Sequence, residues 1–283
     1  MNKLFEFSYT EADLSSLPAR PTRSSKGDFG RVLLVCGSRG MAGAAYLAAL
    51  GAYRSGAGIV EIFTPEDNRV ILQTLIPEAV LTVYDASTPD TDLLTERLTR
   101  CDSVAVGCGL GKSKSALELL KTVLRNTTVP TVIDADAINL ISEHPHLLNY
   151  AKGHIITPHI REMSRLTGIS AEDILNAPQK VALDFAEKHS LVCLLKDHNT
   201  VVSDGTDRIY VNKSGNNGMA TGGSGDVLAG VIASLVAQNH LALSPFGAAT
   251  LGAYIHGLAG DRAASALGVY AVMARDIANN IRI

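Results

Sequence analysis

The 283-residue chain is 46% hydrophobic and 19% charged, enough apolar material for a sizeable core. Its net charge of −3 comes from interspersed acids and bases without a Lys/Arg block, which excludes a nucleic-acid footprint and favours a small-molecule site. No apolar run is long enough to span a membrane without a charge, and "MNKLFEFSYTEAD" lacks the apolar stretch of a signal peptide, so a cytoplasmic protein without a membrane partner is expected.

Residues 1–27, with Pro18 and Pro21, read as an irregular lead-in. "RVLLVCGS" (31–38) has the short apolar run of a buried parallel strand. Ala-rich 42–58 reads as a helix ending in glycines, and "IVEIFTP" (59–65) as a second strand stopped by proline. "SVAVGCGLG" (103–111) reads as a strand running into a glycine turn, and 115–126 as an amphipathic helix. A strand within 128–141 ends in acids. "HIITPH" (154–159) is a strand broken by Pro158, and 161–168 a short helix closed by glycine. Residues 191–215 give a strand, a loop and a hairpin turning at "DGTD". Helical patterns cover 226–238 and 245–267.

This alternation implies an α/β protein with a mainly parallel sheet, and no linker divides residues 1–283, so a single domain is expected. Ligands of such folds gather at the carboxyl ends of the strands, where the glycine-rich and acidic stretches fall. Cys36, Cys101, Cys108 and Cys193 form no C-x-x-C pair and are expected to be buried, reduced thiols.

"TGGSGD" (221–226) precedes a helix. Its glycines let backbone N–H groups converge, and the helix N-terminus adds positive dipole. Asp226 beside such an anion hole suits phosphoryl transfer, with the carboxylate accepting a hydroxyl proton. A glycine turn with Asp226 capping the helix has the same spelling. The stretch is neither a Walker A loop nor a G-x-G-x-x-G fingerprint.

"GMATGGSGDVLAGVIASLVAQ" (218–238) resembles the C-terminal signature of the NAD(P)H-hydrate dehydratases. "KGDFGRVLLVCGS", "VGCGLG", "VIDADAINLI", "TPHIREMSRL", "LLKDHNTVV" and "YIHGLAGDRAA" follow in the family's order, over roughly residues 26–264. The resemblance implies a ribokinase-like, three-layer α/β/α fold with a mainly parallel central sheet. It implies ADP-dependent dehydration of the S epimer of NADHX or NADPHX to NADH or NADPH, releasing AMP and phosphate, with Mg²⁺ whose ligands stay unassigned. Phosphorylation turns the hydroxyl into a leaving group that the ring nitrogen can expel.

The resemblance assigns Asp226 as base, with amides of Gly222, Gly223, Ser224 and Gly225 around the phosphoryl group. Lys196, Asp197, His198, Asn199, Thr200 and Gly225 would hold the nucleotide. Gly43, Ala44, Ala45, Gly109, Gly111 and His159, with Asp226, would contact the dinucleotide hydrate; Glu162 would orient groups nearby. Each position has a plainer structural reading as turn, helix start or surface. Asp134, Asp136 and Asn139 suit Mg²⁺, ribose contacts or helix capping; His256 and Asp261 suit packing beside the nucleotide. Arg161, Asn217 and "VMARDI" (272–277) depart from the family pattern. By family resemblance a homotetramer is expected. The alternatives are a ribokinase-like kinase of a small alcohol, such as a thiamine-pathway precursor, and a non-catalytic nucleotide-binding protein.

Overall fold

The computed structural model describes residues 5–283. Ten strands form one sheet: β1 (Phe5–Phe7), β2 (Arg31–Val35), β3 (Ile59–Pro65), β4 (Val80–Tyr84), β5 (Ser103–Val106), β6 (Thr131–Ile133), β7 (Ile155–Ile156), β8 (Val192–Leu195), β9 (Val201–Ser203) and β10 (Arg208–Val211). Their order is β1-β10-β9-β8-β7-β6-β5-β2-β3-β4. From β4 across to β8 every pairing is parallel; β9 and β10 turn back antiparallel, and β1 joins β10 in parallel. The central strands read as continuous apolar runs because helices cover both faces.

Strand β2 shows the division of the core. Val32 and Leu34 point into one apolar layer, with helices Ala42–Arg54, Ser224–Ala237 and Pro245–Leu267. Leu33 and Val35 point into the other, with helices Lys114–Asn126, Asp136–Glu143 and Pro178–His189. Helix Lys114–Asn126 is typical of the second layer. Ser113 caps it by accepting the Ala116 amide, and Ala116, Leu119, Leu120, Val123 and Leu124 make its buried stripe.

Helices Ala42–Arg54 and Ser224–Ala237 meet backbone to backbone. A Cβ on Gly51 would run into the Val227 main chain, and one on Gly230 into the Ala48 main chain. Small residues let these axes approach closely, which couples the helix behind the candidate catalytic loop to the one after β2.

The parallel α/β expectation holds, as do the main strands and helices and the "DGTD" hairpin. The four cysteines are buried and free. The lead-in differs from expectation. It holds β1 and helix Glu11–Leu14, and Phe7 and Tyr9 pack against Tyr210. A three-residue edge strand has too few residues to show a period-2 pattern. Strand β4 and helices Arg69–Leu75, Thr91–Leu98, Ala171–Asn176 and Pro178–His189 add to the expected elements. The helix expected over 42–58 ends at Arg54, because Gly56 takes φ +99°. Among the described residues no helix is long and apolar enough to cross a membrane.

Candidate active site

The site is assembled at the carboxyl ends of the parallel strands. Asp134 directly follows β6, Thr157 follows β7, and Lys196 follows β8. His159 and Lys196 form an isolated parallel bridge, which carries the pairing of β7 and β8 past the strand ends. Lys196 Nζ donates to Asp134 Oδ1 at 2.7 Å, and the Thr157 hydroxyl donates to the same oxygen at 2.7 Å. Burial opposes the Lys196 charge, but Asp134 and Glu162 outweigh it and hold the ammonium's pKa above its ordinary value. The turn after Asp134 is strained: Ala135 sits at φ +49° between the two acids.

Opposite this pair, helix Ser224–Ala237 begins. Its N-cap, Gly223, is left-handed at φ +90°, and a Cβ there would strike Leu47. No side chain caps the helix. The Ser224 amide makes a long 3.3 Å bond to Thr221 O, and the Gly225 and Asp226 amides donate to no group among the described residues. Two free donors on a helix start form an anion site. Gly225 closes it on Lys196, since a Cβ on Gly225 would lie 3.4 Å from Lys196 Nζ.

Asp226 stands in the first turn of that helix, part-buried. Burial, reinforced by the negative charge of Asp134, pushes its pKa up to about 7. That value suits a proton acceptor working near neutrality. Cys108 lies alongside, with its thiol 3.8 Å from Asp134 Oδ2, and its hydrogen bond to Cys36 and its burial push its pKa well above the ordinary value.

A cleft of about 1000 Å³ opens beside Lys196 and the helix start at Ser224 and Gly225, while Asp134, Cys108 and Asp226 stay out of its lining. His159, Lys196, Asp197, His198, Thr200 and Gly225 line it, which brings together most of the expected nucleotide residues. Asn199 is exposed and lies outside that lining. Its far wall is Asn212, Ser214 and Asn216, which sequence reasoning missed. Asp261 holds this wall by accepting from the Gly215 amide and Asn216 Nδ2, both at 2.9 Å. Only a long-range partner reveals that role, so no local pattern could have found it.

His159 is the N-cap of helix Ile160–Thr167, and its Nδ1 accepts from the Arg161 and Glu162 amides at 3.0 and 3.2 Å. Burial, with the positive charges of Lys196, Arg165 and Arg161, pushes its pKa down, so the ring is neutral and its proton sits on Nε2. Burial also raises the Glu162 carboxyl. His256 is buried 3.5 Å from Ser224 Oγ, and burial pushes it down to about 4.

The other expected substrate residues gather apart from the cleft's lining. A Cβ on Gly109 would sit 2.7 Å from the Ala44 Cβ, and Gly111 donates to Asp136 Oδ2 at 2.8 Å. Gly43 is exposed, Ala44 nearly buried and Ala45 wholly buried. This second cluster reaches the first through Asp136, two residues from Asp134. The departures also separate here: Arg161 and Asn217 line the cleft, whereas Met273 is the N-cap of helix Ala274–Asn279, whose Ala274 packs beside Gly223.

The sheet, its covering helices and an uncapped glycine-led helix start facing a lysine and an aspartate define a ribokinase-like fold with an anion site at its strand ends. A family model described as NAD(P)H-hydrate dehydratase matches residues 32–282, and the chain belongs to that family.

Three comparisons place it further. The bifunctional NAD(P)H-hydrate repair enzyme of Moorella thermoacetica is 41% identical over 271 residues, 93% of this chain and 50% of that protein. The ADP-dependent (S)-NAD(P)H-hydrate dehydratase of Neisseria meningitidis serogroup B is 38% identical over 266 residues, 92% of this chain and 86% of that protein. The crystal structure of the ADP/ATP-dependent NAD(P)H-hydrate dehydratase of Bacillus subtilis, co-crystallised with ATP/Mg²⁺, matches with TM-score 0.81 and 26% identity, over 99% of this chain and 97% of that one. The chain spans about half the length of the bifunctional relatives it matches.

Proposed function

We propose that this chain, as a single domain, dehydrates the S epimer of NADHX or NADPHX with ADP as phosphoryl donor, restoring NADH or NADPH. The observation that carries this is Asp226 on an uncapped helix start, facing the Lys196–Asp134 pair. The base takes the proton of the hydroxyl on ring carbon six. That oxygen attacks the terminal phosphorus of ADP, the bond to the bridging oxygen breaks, and AMP leaves. The free amides of Gly225 and Asp226, with Lys196, hold the negative charge of the transferring group. The ring nitrogen's lone pair then expels phosphate, and loss of a proton from carbon five restores the dihydropyridine. The glycines, Ala44 and neutral His159 would line the side where the hydrate lies, and residues 196–200 the side of the AMP.

The residues present fit Mg²⁺ through oxygen alone. Oxygens of Asp134 and Asp226 converge with the Cys108 sulfur within 4.8 Å, but the protonated thiol is a poor partner for a hard ion. Asp134 Oδ2 would hold the ion, since Lys196 and Thr157 occupy only Oδ1, and the ion would neutralise polyphosphate charge while the Asp226 carboxylate stays free as the base. Cytoplasmic residence and a homotetramer accompany the family reading.

The test uses purified protein and S-NADHX with Mg²⁺, adding ADP or ATP separately and following the near-ultraviolet absorbance of the restored cofactor. A rise with ADP and release of AMP are expected. A stable phosphorylated alcohol formed from ATP, with no cofactor restored, would instead establish the small-alcohol kinase.

A further inference from the structure

A second cavity, of about 470 Å³, is lined by Lys112, Asn139, Ser142, Glu143 and Arg165. It lies one helical turn from the main cleft. Arg161 lines the cleft, and Arg165, four residues on along the same helix face, lines the cavity. Its walls are tied to the candidate site. Lys112 directly follows Gly111, whose amide donates to Asp136. Asn139 donates to Asp136 at 3.5 Å and accepts from Arg165 at 2.7 Å.

The charges of this cavity are poorly balanced. Among the described residues Arg165 has no carboxylate within ion-pair distance. Lys112 has one, Glu143 at 3.0 Å, and both side chains are about half exposed (52%), so the pair holds weakly. Two cations in a polar cavity, opposed by one weakly held carboxylate, match a terminal phosphate monoester, which is a dianion near neutrality.

The proposed substrate comes in two forms that differ by one such group, the monoester on the adenosine ribose. Both forms share the internal diphosphate, which the nearer cation Arg161 can meet. We propose that Lys112 and Arg165 form the site for the ribose monoester, and that Glu143 competes with it for Lys112. The chain therefore distinguishes NADPHX from NADHX. This inference rests on the substrate reading given above.

The experiment measures kcat/KM for S-NADPHX and S-NADHX on the full chain, and takes their ratio. Lys112→Ala and Arg165→Ala are each expected to lower the ratio about tenfold, the size of one charge-assisted contact. Glu143→Gln is expected to raise it. Raising salt from about 0.05 M to about 0.5 M should shrink the wild-type ratio toward that of the variants. A ratio unmoved in Lys112→Ala and Arg165→Ala, or both substrates slowed in parallel, would overturn the monoester site. Binding of NADPH and NADH by calorimetry runs alongside. If the wild type turns over neither hydrate, the substrate reading fails, and equal losses of NADPH and NADH binding in the variants would overturn this inference separately.

Discussion

Asp226 carries the sharpest expectations at the scale of one residue. Asp226→Asn should leave ADP binding close to wild type and cut turnover by about two orders of magnitude or more, the contribution of a general base. Steady-state rates and calorimetry together check this. The pH profile follows from the carboxyl being pushed from its ordinary 3.8 up to about 7. A base must be ionised, so kcat/KM should fall about tenfold per unit as pH drops below about 7. Stability has the opposite sign. A raised carboxyl binds its proton more tightly when folded, so its stabilising contribution is complete below 3.8 and is lost as pH rises through about 7. Asp226→Asn removes that loss. The melting temperature of the variant relative to wild type should therefore climb between about pH 5 and about pH 8. A difference that stays flat would mean the folded carboxyl titrates at its ordinary value.

Single residues hold their places because two elements hold theirs. Helix Ser224–Ala237, which carries the candidate base, is located by its contact with helix Ala42–Arg54, where Gly230 faces the Ala48 main chain and Gly51 faces the Val227 main chain. A methyl at either position must push two backbones apart, and neither can yield as a flexible side chain would. Gly230→Ala is expected to destabilise by about 2–3 kcal/mol, the upper range for overpacking. A thermal melt reads it directly. The same displacement would move Asp226 relative to Lys196, so turnover should fall more than ADP binding. A variant with wild-type melting and turnover would show that the helices are not held by this contact. Strain works at the next turn too. Ala135, at φ +49°, links the acids Asp134 and Asp136. Ala135→Gly should raise stability by up to about 1 kcal/mol.

At the scale of the whole molecule, the sequence showed what is written locally. Runs such as "RVLLVCGS" and "SVAVGCGLG" declare buried strands, and "TGGSGD" declares a helix start with donors to spare. Lys196, Asp197, His198, Thr200 and Gly225 reach one cleft because they lie at the ends of secondary elements that must meet at the same edge of the sheet. The far wall was illegible: Asn212 and Asn216 are ordinary polar residues until Asp261, on a helix far along the chain, fixes the loop between them. Edge strand β1 was illegible for a related reason. Three residues carry no period, and what makes them a strand is the exposed side of β10.

That edge has a consequence for the site. Strand β10 leads straight into Asn212 and Ser214, and Phe7 on β1 meets Tyr210 at 5.4 Å and Phe246 at 6.2 Å between ring centroids. Tyr210 in turn donates to Asn212 Oδ1 at 2.9 Å, so the aromatic cluster braces the cleft wall from outside. Phe7→Ala removes a half-buried ring from that cluster and should cost about 1–2 kcal/mol, or about 2–4 °C in melting temperature for a chain of this size. Because Asp226 and Lys196 lie elsewhere, the kinetic effect should fall on the KM for ADP rather than on kcat. A fall in kcat with KM unchanged would mean that the wall does not hold the nucleotide and that Asn212 faces the reacting end instead.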